Sequence, residues 1–271
     1  MKIAVCLSGQ SRTFDYCKES IKLFFKDCDF FCHTYDYNSY HEHGTSPMHD
    51  KWDSKIINSI NETLNPKLLK VESREETIKL FKDYGYKGDE SELNCWSMYH
   101  SIIESYDYDF SDYDFVVKSR YDLIHHIGQT IQNEITDVIS PPIHHRFMVN
   151  DHINPDPTLV GVTGDFPMND AEWITDSDTA KLIYNFKRAI AERYPTNKVF
   201  LRYLIDNDPT LDCIETGQSW EIVRPRHIRI EKDWKKLISQ YYSLLENSTK
   251  FSDPLIDEER SENFWREGNK V

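Results

Sequence analysis

Lys118, Arg120 and Asp122 occupy alternate positions in Asp114-Phe-Val-Val-Lys-Ser-Arg-Tyr-Asp-Leu123. Two cations suit a phosphate, and a carboxylate beside them suits a divalent ion that bridges phosphate oxygens. Phe115, Val116 and Val117 are a short apolar, β-prone run of the kind that fills a central strand. If the backbone stays extended beyond that run, Lys118, Arg120 and Asp122 share one face at the strand's carboxyl end. In open α/β sheets that edge is where ligands bind. The same residues also read as a surface ion pair at a strand end.

A second candidate lies at the start of the chain. Lys2 to Leu7 reads as a buried strand, and Ser8-Gly9-Gln10-Ser11-Arg12-Thr13 as the turn after it. Phe14, Cys17, Ile21, Phe24 and Phe25 then recur at helical spacing. A strand, a Gly-bearing polar turn and a helix aim backbone N–H groups at a phosphate or nucleoside. The turn is neither a GxGxxG nor a Walker A loop, so an ordinary βα turn is its plain alternative.

Other polar clusters carry less. His41, Glu42 and His43, with His33 and His49, lack zinc-signature spacing and read as a substrate-facing loop. Asp107-Tyr-Asp109 and Asp112-Tyr-Asp114 match Asp-x-Asp, but they precede the buried strand and belong at its amino end.

The positioning elements follow from periodicity. Strands are expected at 2–7, 29–35, 67–71, 114–118, 134–140 and 147–150, with a strand pair over 212–224. Helices are expected at 14–25, near 52–62, after the Ser73–Glu76 capping box, along Leu93, Trp96, Tyr99 and Ile103, after an Asp176 or Ser177 cap, at 197–206, and along Trp234 to Leu245. Residues 151–168 read as a long loop, a candidate lid. This alternation predicts one Rossmann-like α/β domain over 1–245, a mostly parallel central sheet flanked by helices, and a charged tail over 246–271.

Bulk properties bound the function. The 271 residues carry 32 Lys+Arg against 46 Asp+Glu, a net charge of −14, which argues against nucleic acid as a partner. No apolar stretch approaches the roughly 18 residues of a membrane span. The six cysteines form no CxxC and no framework, so free thiols in a cytoplasmic compartment are expected.

Several segments, in order, resemble a group of glycosyltransferases from bacterial polysaccharide loci and large DNA viruses. They are Ile3-Ala-Val-Cys-Leu-Ser-Gly-Gln-Ser-Arg12, Phe31-Cys-His-Thr-Tyr-Asp36, Trp96 with its helix, Phe115 to Leu123, and Asn169-Asp170 ahead of a capped helix. The resemblance implies a GT-A domain that binds a UDP- or GDP-linked sugar and transfers the sugar to a glycan or polysaccharide acceptor. GT-A enzymes place an Asp-x-Asp on Mn²⁺ or Mg²⁺ at a strand end; here Arg120-Tyr121-Asp122 stands there, with a cation in the first position. By the resemblance, Ser8, Gly9, Gln10 and Arg12 meet the nucleoside or its phosphates, with Lys118 and Arg120 on the diphosphate. Asp122 holds a metal or a sugar hydroxyl. Asp170 faces the acceptor.

Sugar transfer builds negative charge on a leaving diphosphate, and an inverting enzyme needs a carboxylate to deprotonate the acceptor. Asp170 is the candidate base, with Asp165 and Glu172 as rivals. Arg224, Arg226 and His227 are late basic residues that read equally as a diphosphate contact or as a surface patch. Two other functions stay open: a nucleotidyl- or sulfotransferase using the same cationic strand end, and a non-catalytic sugar- or nucleotide-binding module.

Overall fold

The first strand shows how the molecule is layered. In β1 (Ile3–Ser8) all six residues are buried. Ile3, Val5 and Leu7 enter one apolar cluster and Ala4 and Cys6 the other. A strand that is apolar on both faces needs cover on both, as a parallel strand inside an α/β sandwich has.

The computed structural model describes residues 1–11, 13–40, 48–50, 54–87, 90–125, 130–138, 146–149, 172–190, 197–208, 212–215 and 220–222. After β1 come α1 (Phe14–Phe24), β2 (Asp29–Tyr35), β3 (Asn38–Tyr40), β4 (Met48–Asp50), α2 (Lys55–Leu64), β5 (Leu68–Glu72), α3 (Arg74–Asp83) and α4 (Glu90–Ser105). Then follow β6 (Phe115–Arg120), β7 (Leu123–His125), α5 (Ile131–Val138), β8 (Arg146–Val149) and β9 (Trp173–Thr175). The last are α6 (Ser177–Asn185), α7 (Lys187–Ile190), α8 (Asn197–Asn207), β10 (Asp212–Glu215) and β11 (Trp220–Ile222).

Seven strands form one sheet in the order β10-β8-β9-β6-β1-β2-β5. β9 runs antiparallel to both its neighbours, β6 and β8; the other pairings are parallel. The mostly parallel α/β sheet expected from the sequence is therefore present. α1, α2 and α5 supply Phe14, Cys17, Ile21, Ile56, Ile60, Ile131 and Ile135 to one face. α3, α4, α6 and α8 cover the other with Phe81, Trp96, Tyr99, Ile183 and Phe200.

Capping residues set two helix starts. Ser73 and Glu76 form the expected reciprocal box at α3. The Asp176 carboxylate accepts from the Thr179 N–H and opens α6.

Two expectations are corrected. Residues 131–138 are helical, not the start of a strand at 134–140. Ile131 and Ile135, one turn apart, bury into the core, and that burial overrides the β-propensity of Ile, Thr and Val. The expected strand pair over 212–224 separates into different sheets: β10 lies beside β8 at the edge of the main sheet, while β11 pairs antiparallel with β7. Among the described residues no helix is long and apolar enough to cross a membrane. The candidate lid, the helix expected along 234–245 and the tail over 246–271 lie outside them.

Candidate functional site

Parallel pairing lines up strand ends. Ser8, the last residue of β1, is in register with Arg120 of β6 on one side and His33 of β2 on the other. With neighbouring strands roughly 4.8 Å apart, the row from His33 to Arg120 spans about 10 Å of the sheet's carboxyl edge.

At the β6 end, the strand stops at Arg120 and Tyr121-Asp122 forms a turn into β7. The extended backbone assumed for Lys118, Arg120 and Asp122 holds for the first two only. Lys118 is buried under the Trp173 ring, with Nζ 5.0 Å from the ring centroid. The turn brings Asp122 back onto Arg120. Nε donates to Oδ1 and one terminal nitrogen to Oδ2, both at 2.8 Å. This fork-on-carboxylate geometry fixes the plane of the guanidinium. Asp122 is nearly sealed, with its side chain 2% exposed, whereas Arg120 keeps 15%. The carboxylate is buried and the guanidinium half-buried, unlike the surface pair that was the plain alternative. Asp122 also lies near Cys17 of α1: burial first, and then this carboxylate, push the Cys17 thiol pKa well up.

Each Asp122 oxygen accepts one hydrogen bond from Arg120, which takes one of its two lone pairs and leaves the other for a further ligand.

The turn after β1 is held from below. Gly9 has φ +106°, the left-handed region that glycine enters without strain. Its N–H donates to Ser101 Oγ at 2.6 Å. Ser101, on α4, also lies 2.8 Å from His33 Nδ1 and donates to the His33 carbonyl. Ser8 is buried and Gln10 half-buried.

α4 is responsible for this support. The sequence shows its apolar stripe, but Ser97, His100, Ser101 and Glu104 form a second, polar stripe that is also buried. The Ser97 carbonyl accepts from Tyr35 and its hydroxyl shares a hydrogen bond with the Tyr37 hydroxyl, His100 meets Glu72, and Glu104 pairs with Lys70 and Lys187. Glu72 lies at the end of β5, its carboxylate 2.8 Å from His100 Nε2 and 3.5 Å from His33 Nε2. Burial alone would raise the Glu72 pKa; hydrogen bonding with His100 and the approach of His33 outweigh it and hold the carboxyl well below its usual range. His33, Glu72 and His100 are far apart in sequence, and no spacing pattern joins them.

Glu172, a rival for the base, is wholly buried. Ser119 donates to it at 2.9 Å, and His125 Nε2 lies 2.9 Å from the same oxygen. His125 in turn is stacked on Phe24. Glu172 therefore ties β6 and β7 to the approach to β9 and does not present itself to an acceptor.

The acidic decoys sit where expected. Asp114 joins the amino ends of β1 and β6, accepting from the Lys2 N–H at 2.7 Å, and Asp109 caps its own turn through the Ser111 N–H. Arg12, Asp165, Asp170, Arg224, Arg226 and His227 lie outside the described residues, as does the 41–47 loop.

No protein-family model matches the chain, and no curated protein does either. Solved structures with a similar fold include the following. Mouse xyloside xylosyltransferase 1, apo form, has 9% identity and TM-score 0.38, over 79% of this chain and 84% of that one. The inositol-1-phosphate CTP transferase from T. maritima has 10% identity and TM-score 0.41, over 92% and 98%. The 4-diphosphocytidyl-2C-methyl-D-erythritol synthase from Anaerococcus prevotii has 10% identity and TM-score 0.42, over 91% and 96%.

Proposed function

We propose that this chain is a transferase acting on a nucleotide-sugar: a GT-A-type glycosyltransferase that moves the sugar to a glycan or polysaccharide acceptor. The observation that carries the reading is the Arg120 guanidinium, clamped by Asp122 at the carboxyl end of β6, one strand from the Ser8–Gly9 turn. A pre-oriented cation beside a glycine turn suits a diphosphate leaving group, whose charge grows as the glycosidic bond breaks. Arg120 meets that charge. Asp122 is then a positioning residue. The Ser8 to Arg12 turn takes the nucleoside side of the donor, and Lys118 adds positive potential from below. Asp170 is the proposed base on the acceptor hydroxyl. The free thiols suit the cytosol, where we place the enzyme.

The test pairs binding with turnover. Stabilisation by UDP, GDP and their sugars, in preference to ATP or a sulfate donor, is expected in a thermal-shift screen with and without Mn²⁺. Release of nucleoside diphosphate from the preferred donor should fall about 10²-fold in Arg120→Ala, as on loss of an oxyanion-type contact, and hold in Asp112→Asn. Binding of ATP alone, or full activity in Arg120→Ala, would overturn the reading.

A further inference from the structure

Beside the proposed donor edge, His33, Glu72 and His100 bring two imidazoles and a carboxylate together from β2, β5 and α4. One ligand atom from each lies within 4.8 Å of the other two. His33 is fully buried, and its Nε2, 3.5 Å from Glu72 Oε1, makes no hydrogen bond. A sealed ring nitrogen without a partner is costly to bury.

Ser101 Oγ accepts from the Gly9 N–H and lies 2.8 Å from His33 Nδ1. In the tautomer that donates from Nδ1 to Ser101, the Nε2 lone pair faces the space between Glu72 and His100 and is available to an ion.

We propose that His33 Nε2, His100 Nε2 and the Glu72 carboxylate bind one first-row divalent transition ion of the zinc class, with Ser101 orienting His33 from behind. Two imidazoles and one carboxylate suit Zn²⁺ and disfavour Mg²⁺, which prefers oxygen. Three protein ligands leave zinc's fourth position to water, and the Glu72 side chain, 26% exposed, gives the ion a way in. Ser101 links the ion to the Gly9 turn. The site is separate from Arg120 and Asp122 and stands whether or not the transferase reading does.

The test uses the metal alone. Full-length protein, dialysed against EDTA, is titrated with Co²⁺ and then Zn²⁺ without nucleotide. One saturable equivalent of Co²⁺ is expected, with the visible d–d band of a four-coordinate site, displaced by Zn²⁺. Glu72→Gln and His100→Gln should each weaken binding by about 100-fold or more, and Ser101→Ala by about 10- to 100-fold, as loss of an outer-shell partner does. If the ligand variants fail to fold by circular dichroism, Ser101→Ala, which removes only a hydroxyl, decides. Absence of a saturable band in wild type would overturn the proposal. So would an unchanged band and affinity in the variants, because the ion would then sit among the chain's other histidines.

Discussion

Removing Asp122 should damage stability far more than removing a surface carboxylate. In Asp122→Ala, Arg120 loses both hydrogen bonds of its fork, in a place where the Asp122 side chain is 2% and the Arg120 side chain 15% exposed. Breaking a buried pair from one side costs about 3–5 kcal/mol, and the residual exposure of Arg120 puts this pair at the lower end, about 3 kcal/mol. For a chain of this size that is a fall in Tm of about 6–12 °C. Arg202 and Asp206 supply the control: their pair on α8 is 74% and 52% exposed. Arg202→Ala should cost only about 0.3–0.5 kcal/mol. The double variant Arg120→Met/Asp122→Leu should recover part of the loss, because neither charge of the pair then stays behind without the other. Scanning calorimetry and urea melts of the four proteins provide the values. If Asp122→Ala melts within the range of Arg202→Ala, or the double variant is worse than either single one, the buried-pair argument fails.

Three further outcomes are expected. Gly9→Ala meets no atom within 4 Å, so its cost is conformational, about 1–2 kcal/mol at φ +106°, and urea melts should show it with an unchanged m value. Ser73→Ala removes half of the capping box at α3 and should cost about 1 kcal/mol by the same assay; a neutral result would mean that the box is not formed. Burial raises the thiol pKa of Cys6, Cys17 and Cys32, the last to about 12, so their stabilising effect is complete below the unfolded-state pKa and is lost as pH rises through the folded one. At pH 10 each such thiol should therefore have cost about 2 kcal/mol relative to pH 8, less in Cys32→Ala, and thiol counting of the denatured, unreduced chain should give close to the full six.

What the sequence reveals about this fold is mostly what periodicity encodes. Strands with apolar runs, such as Ile3 to Leu7 and Phe115 to Val117, and helices with capping residues, such as Ser73 and Asp176, declare themselves locally. Three-residue strands do not. Trp173–Thr175 lies directly before the Asp176 cap, and Leu123–His125 follows a turn; each is too short to show alternation. The 131–138 segment misleads because Glu134-Ile-Thr-Asp-Val138 has β-prone residues, while its helical pair Ile131 and Ile135 makes sense only once a core exists to receive it. The edge residues Ser8, Gly9 and Arg120 are legible because each lies at the end of an obvious strand. His33, Glu72 and His100 are not, since only the β2–β5 pairing and the path of α4 join them.

That contrast explains how the carboxyl edge is built. A parallel sheet aligns strand ends whatever their sequence, so Ser8, His33 and Arg120 become neighbours through register alone. Bringing polar groups to one edge does not orient them. Orientation comes from a second layer of contacts that local sequence hardly displays: Asp122 folding back on Arg120, and Ser101 reaching from α4 to Gly9 and His33 at once. Asp122 and Ser101 are both buried, and a buried hydrogen-bonded partner resists rearrangement because leaving it unsatisfied costs about 1–3 kcal/mol, more for a charge. The edge therefore has its cation and its turn fixed in the fold before any ligand arrives. For the diphosphate of the proposed donor, an edge fixed in this way would need little side-chain ordering on binding.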